Sequence, residues 1–216
     1  MTPRLQAAVV DLDGTMVDTA GDIEIAINRM LAELRLPQIG REFISLTVGK
    51  GTPYLIEATL TAIGADAALA EEARQRYQRH YESVNGDYSV VYPGVVEGLE
   101  RLIGARVPLA CLTNKPDPLA RQLLAVKGLD RYFDRIFGGG AFARLKPDPL
   151  PLIETCKALG SLPGRTLMIG DSSNDAAAAR SAGLPVVLMT YGYNHGEPIR
   201  DVPALQYLDR LDELVL

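Results

Sequence analysis

The sequence predicts an α/β fold in which a parallel sheet carries helices on both faces and a small all-helical insertion follows the first strand. Three observations predict it. An apolar run opens the chain at residues 5–12; no run of strand length occurs between residues 19 and 84; and from residue 95 onward short apolar runs alternate with helix-patterned stretches.

Residues 5–12 end in acidic residues and Gly14, the pattern of a buried strand whose carboxyl end opens into a loop. The spacing then turns helical. Ile23, Ile27, Met30, Leu31 and Leu34 share one helix face, Tyr54, Leu55, Ala58 and Ala62 share another, and residues 71–81 continue the pattern towards Asn85-Gly86-Asp87. After Tyr92-Pro93-Gly94 the order is helix 95–103, strand 107–113, helix 117–127, strand 135–137 and helix 149–159. Strand 166–169, helix 174–182, strand 185–189, a short strand at 205–207 and a last helix complete it. This implies a sheet domain of residues 1–16 and 88–216 and a helical domain of residues 17–87. Val17-Asp18-Thr19 and residues 86–93 are the two crossings between them, where any opening motion would hinge.

At 216 residues, with 47% hydrophobic and 23% charged composition, the chain can bury one full core and a small accessory domain, but not two large domains. Its net charge of -5 gives no general attraction for nucleic acid or an anionic membrane, so an anion site has to be built from local cations. No apolar run approaches the roughly 18 residues that cross a bilayer. The N-terminal run also lacks a cleavage region. The expectation is a cytoplasmic protein, monomer or homodimer, whose partner is a small molecule and neither nucleic acid nor membrane. Cys111 and Cys156 have no CxxC spacing and are expected as packing residues.

In a parallel α/β sheet, ligands sit beyond the carboxyl ends of the strands. Four polar clusters fall there: Asp11 with Asp13, then Thr113-Asn114-Lys115, then Lys146, then Asp171 with Asp175. Asp11 and Asp13 are two apart, which in an extended chain points both side chains to one side. Four acids without a histidine cluster make a hard oxygen set that suits Mg2+ rather than zinc or copper. Lys146, the Thr113 hydroxyl and nearby backbone amides could hold the oxygens of a phosphate monoester while the metal shields carboxylate from phosphate. The expected chemistry is attack by Asp11 on phosphorus to form an acyl phosphate. Asp13 would protonate the leaving oxygen and later deprotonate the hydrolytic water.

Asp11-Leu12-Asp13-Gly14-Thr15, Thr113-Asn114, Lys146-Pro147 and Gly170-Asp171-Ser172-Ser173-Asn174-Asp175 resemble, in order, the four motifs of the haloacid dehalogenase-like hydrolases. The resemblance implies a Rossmann-like, doubly wound sheet of strand order 5-4-1-2-3, with the helical insertion as a type-1 cap. It implies that Asp11, the backbone carbonyl of Asp13 and Asp171 bind Mg2+ with support from Asp175, and that Thr113, Asn114 and Lys146 position the phosphoryl group. Asp13, as the acid an alcohol leaving group needs, implies a phosphatase rather than a dehalogenase.

Within that superfamily, Leu112-Thr113-Asn114-Lys115-Pro116, Val48-Gly49-Lys50-Gly51, Thr190-Tyr191-Gly192-Tyr193-Asn194 and Gly196-Glu197-Pro198-Ile199 are similar to the bacterial phosphoglycolate phosphatases. That likeness puts 2-phosphoglycolate first among candidate substrates and the chain in carbohydrate metabolism. The sequence departs from that group at Thr47 and Lys50, and in having no His between Lys146-Pro147 and Asp148-Pro149. Alternatives are a phosphosugar phosphatase or mutase of the same fold, and a non-catalytic phospholigand-binding protein. Thr15 stands where β-phosphoglucomutases tend to have Val, and the intact Asp11 and Asp13 speak against a sensor.

Each residue also has a plainer reading. Asp171 or Ser172 could cap the following helix, and Asp117 is expected to cap its own beside Pro118. Lys146 alone would be a solvated lysine, and only its place in the ordered set raises it to a site residue. Lys50, between two glycines, is either exposed in a loop or paired with a substrate carboxylate. His80 and His195 are single and separated, which favours structural roles. Gly49-Lys50-Gly51 and Gly138-Gly139-Gly140 lack the spacing of nucleotide-binding loops.

Overall fold

The computed structural model describes residues 5–215. Strands β1 (Ala7–Val10) and β2 (Val17–Asp18) lead into helices α1 (Ala20–Glu33), α2 (Arg41–Thr47), α3 (Thr52–Ala62) and α4 (Ala70–Val84). The chain returns through β3 (Val90–Val91) to α5 (Val95–Gly104), β4 (Leu109–Pro116), α6 (Asp117–Val126) and β5 (Arg135–Gly139). Helix α7 (Leu150–Leu159), β6 (Thr166–Gly170), α8 (Ser173–Ala182), β7 (Val186–Met189) and β8 (Gln206–Leu208) follow.

Six strands form one parallel sheet in the order β5-β4-β1-β6-β7-β8. Counted within this sheet alone, that is the expected 5-4-1-2-3 order with a sixth strand added beside the fifth. β1 lies at the centre because both faces are covered: every residue of Ala7–Val10 and of Thr166–Gly170 is buried. Alternation assigns the faces. Ala8, Val10 and Cys111 pack with α5 and α6 residues such as Leu99 and Leu123, whereas Val9, Leu112 and Met168 pack with Leu152 of α7 and Ala176 and Ala179 of α8.

Helices α1–α4 gather round their own apolar cluster, which includes Ile27, Met30, Ile56, Leu60 and Tyr77 and reaches Leu119 and Tyr193. Both crossings between these helices and the sheet are braced. β2 and β3 pair antiparallel, Val17 with Val91 and Asp18 with Val90. The fully buried Asp22 accepts hydrogen bonds from the amides of Gly86 (2.8 Å) and Tyr88 (2.6 Å), and Lys127 donates to the carbonyls of Gly86 and Ser89, both at 2.7 Å. No helix among the described residues is long and apolar enough to cross a membrane.

Several elements differ from expectation. The two crossings carry short paired strands that the sequence pattern does not mark, because the short Val-rich segments satisfy each other's backbone groups. The buried face of α3 is Leu55, Ile56, Thr59 and Leu60, while Tyr54 is exposed and Ala62 lies outward; the bulkier aliphatic groups set the stripe. β4 runs on to Pro116, with a register shift between Leu112 and Pro116. The expected last helix is a single 3-10 turn, Leu211–Glu213, too short to propagate. Asp117 does not cap α6. Its carboxylate instead accepts from the amide of Gly138 (3.0 Å) and pairs with Arg121 (2.7 Å), tying α6 to β5.

Candidate active site

The carboxyl ends of β1, β4 and β6 meet at one rim. Asp11 follows β1 directly, its amide still bonded to the carbonyl of Ile169, so its side chain is fixed by the sheet ladder. Asp171 follows β6 and accepts from the Thr15 hydroxyl (2.6 Å) and the Tyr193 amide (2.6 Å). Backbone crowds this carboxylate closely. A Cβ on Gly14, whose φ is 84°, would lie 2.2 Å from Asp171 Oδ2, and one on Gly192 would lie 2.2 Å from Asp171 Cβ. Asp175 sits one helical turn on, where Ser172 and Asp175 form a capping box at the start of α8.

Asp11, Asp171 and Asp175 are all buried, and one oxygen from each lies within 4.8 Å of the others. Lys146 is the counter-charge. Its side chain is 2% exposed, and its ammonium reaches Asp11 at 2.9 Å, Asp175 at 2.7 Å and the carbonyl of Leu112 at 3.0 Å, which uses all three of its N–H groups. One lysine does not balance three acids. Burial pushes the Asp11 carboxyl up to about 7, with Lys146 opposing the shift and Asp175 adding to it. Asp171 is held well above the ordinary carboxylate range by burial, then by Asp175 and Asp11. Burial alone would lower Lys146, but Asp11 and Asp175 together hold it above its ordinary value. A cluster of carboxylate oxygens carrying surplus negative charge fits a hard divalent cation such as magnesium.

The Asp13 carboxylate stands apart from this cluster. It faces Lys115, whose buried ammonium donates to Asp13 Oδ1 at 3.1 Å and to the Tyr81 hydroxyl, and lies 4.5 Å from the centre of the Tyr81 ring. Thr113 accepts from the Lys115 amide (3.1 Å), which leaves its own O–H to donate. A cavity of about 50 Å³ lies between the rim and the helices, lined by Asp11, Asp13, Thr113 and Lys115 from below and by Tyr77 and Tyr81 of α4 from above. It holds only a few water-sized groups.

Asn114 acts as a clamp. Its amide exchanges bonds with the backbone of Lys146 in both directions (2.8 and 3.0 Å) and donates to the carbonyl of Gly49 at 3.0 Å, joining β4, the Lys146 loop and the turn before α3. Lys50 is not brought to the cavity; its ammonium lies 4.9 Å from the centre of the Tyr54 ring.

The haloacid dehalogenase-like hydrolase profile matches residues 8–189, which includes every strand-end residue described above. The chain belongs to the haloacid dehalogenase-like hydrolases. It is 40% identical over 215 residues to the phosphoglycolate phosphatase of Thiobacillus denitrificans, covering 98% of this chain and 95% of that one. To a plasmid-borne phosphoglycolate phosphatase of Cupriavidus necator it is 44% identical over 188 residues, 87% and 81% of the respective chains. The crystal structure of a predicted phosphoglycolate phosphatase from Haemophilus somnus superposes with a TM-score of 0.91 at 29% identity, covering 99% of this chain and 97% of that one.

For this haloacid dehalogenase-like hydrolase, the sequence counts Lys115 among the strand-end polar residues without a role of its own, and does not single out Tyr81. A signal for Lys115 was present: the period of two in a strand places it on the side of Thr113. The Tyr193 hydroxyl accepts from the amides of Thr19 (3.0 Å) and Ala20 (3.1 Å) and donates to Asp18, so the loop that holds Asp171 also holds the start of α1, 174 residues away in sequence. His80 bonds to Glu33 at 2.9 Å on the surface, and Cys111 and Cys156 are free and buried.

Proposed function

We propose that this hydrolase is a magnesium-dependent phosphatase that converts 2-phosphoglycolate, or a phosphate monoester of similar size, to the alcohol and phosphate. The observation that carries this is the placement of two carboxylates of different character at one strand end. Asp11 lies in the acidic cluster with Lys146, and Asp13 lies beside it, outside the cluster and paired with Lys115. The relatives named above act on phosphoglycolate, and the small cavity suits a leaving group of a few atoms.

In this reading Asp11 and Asp171, with the backbone carbonyl of Asp13 and support from Asp175, hold Mg2+. Bound there, the ion supplies positive charge that lets an anionic nucleophile approach an anionic ester. An Asp11 oxygen attacks phosphorus as the bond from phosphorus to the ester oxygen breaks, and Asp13 gives that oxygen its proton. Water then attacks the acyl phosphate and loses its proton to Asp13, releasing phosphate and restoring both carboxyl groups. The Thr113 hydroxyl donates to a phosphoryl oxygen, and Lys146, kept in place by Asn114, turns the N–H it gives Asp11 to another as Asp11 attacks. Residues 17–87 serve as a cap that moves on residues 1–16 and 88–216 to admit substrate, with Lys50 on the cap over Tyr54 rather than at the substrate.

An adjoining cavity of about 960 Å³ shares Gly51, Thr52, Tyr77, Asn114 and Pro116 with the first, and favours as second reading a phosphosugar ester whose leaving group extends into it. Phosphate release from a panel of esters, with and without magnesium, tests both. Magnesium-dependent turnover fastest on 2-phosphoglycolate supports the first reading, preference for hexose phosphates replaces it with the second, and binding without turnover overturns both.

A further inference from the structure

We propose that Lys115 is the specificity determinant of the site, binding a carboxylate on the leaving group of the substrate; this rests on the phosphatase reading above. The geometry follows from the reaction. A phosphoryl group attacked in line by Asp11 carries its leaving oxygen on the opposite side, and Asp13 must touch that oxygen to protonate it. Lys115 Nζ lies 3.1 Å from Asp13 Oδ1, so a carboxylate one carbon from the leaving oxygen falls within reach of the same ammonium.

Electrostatics points the same way. The cavity already contains the carboxylates of Asp11 and Asp13, and a third carboxylate entering it is repelled unless a cation stands beside it. Among the described residues lining the cavity, Lys115 is the single cationic side chain. Its side chain is 3% exposed, so the attraction is screened little by solvent, and the Tyr81 hydroxyl offers a second polar contact at the same place. Lys50, the cation that sequence nominates for this task, lies outside the cavity over Tyr54. An ammonium anchored beside Asp13 selects an ester whose acid group is one or two bonds from the phosphate-bearing carbon, and selects against a neutral alcohol of equal size.

The test compares 2-phosphoglycolate with 2-hydroxyethyl phosphate, two esters of similar size that differ in the charge of the leaving group. The wild-type chain with magnesium is expected to prefer the acid. In Lys115→Met the ratio of kcat/KM for acid over neutral ester is expected to fall by about 100-fold, the scale of losing one partner of a buried charge pair. Lys115→Arg, which keeps the charge, is expected to retain most of the ratio. Tyr81→Phe, which leaves the lysine in place, is expected to lower it a few-fold and covers the case in which Lys115→Met does not fold. An unchanged ratio in Lys115→Met, with both rates falling together, would show that Lys115 only positions Asp13 and overturns the proposal. If the wild-type chain releases phosphate from neither ester, the phosphatase reading itself fails.

Discussion

Lys146 at the rim of the sheet and Arg76 on the outer face of α4 have much the same contacts. Each cation bridges two carboxylates at close range: Lys146 meets Asp11 at 2.9 Å and Asp175 at 2.7 Å, and Arg76 meets Glu33 at 2.8 Å and also Glu72. They differ in surroundings. Lys146 is 2% exposed, whereas the α4 pairs face solvent, where water and salt screen the charges and the free side chains lose little. Equal distances therefore carry unequal consequences. Buried charge is costly to keep and costlier to break, which is why it marks chemistry at the rim and only solubility on the helix.

The largest expected effect comes from the proposed nucleophile. Asp11→Asn is expected to lower kcat by at least about 10³-fold, because a neutral amide cannot form the acyl phosphate. The same change removes one of three crowded carboxylates, so the metal-free variant is expected to melt no lower than wild type. A single pair of measurements, phosphate release and a thermal scan, checks both halves. Next comes Lys146→Met, which strands Asp11 and Asp175 in the interior without their cation. About 3–5 kcal/mol of stability is expected to be lost, readable by denaturant unfolding. A loss near zero would mean that the rim is wetter than its burial indicates.

How far sequence alone reached can be judged from these same residues. Asp11, Lys146 and Asp171 were legible because each ends or follows an apolar strand, and a parallel sheet brings such ends to one rim whatever lies between them. Strand order was legible through resemblance, and β8 at the edge was visible only as one more short apolar run. What stayed hidden depends on packing between distant helices. Tyr81 meets Lys115 only because α4 lies across the carboxyl end of β4, and no local pattern in either segment records that crossing. The exposed position of Tyr54 was hidden for a related reason: periodicity finds a stripe but cannot say which of two adjacent stripes a neighbouring helix will cover.

Magnesium and pH sharpen the contrast further. The Asp11 carboxyl, ordinarily near 3.8, is raised to about 7 in the folded protein, chiefly by burial. A group raised in this way favours folding while protonated. Its contribution is complete below pH ~4 and is lost as pH climbs through about 7, where the folded chain must also ionise it. Metal-free protein is therefore expected to lose thermal stability from this source between those limits. Magnesium, which needs the ionised carboxylate, is expected to raise the melting temperature more at pH 8 than at pH 5, where it must displace a proton. An equal shift at both pH values would detach the acidic cluster from the ion.

The smallest expected effect is on α4, and it is the control for all the others. Arg76→Ala removes a cation that, counted by contacts, is as well connected as Lys146. Its partners Glu33 and Glu72 stay in water when it goes, and Glu33 keeps His80 and Arg79 as neighbours. Neither kcat/KM nor the melting temperature is expected to move beyond measurement error at moderate salt. If the melting temperature fell as far as in Lys146→Met, exposure would not be the variable that separates the two sites, and α4 would be held to α1–α3 through its outer charges rather than through Tyr77, Tyr81 and the apolar cluster beneath them.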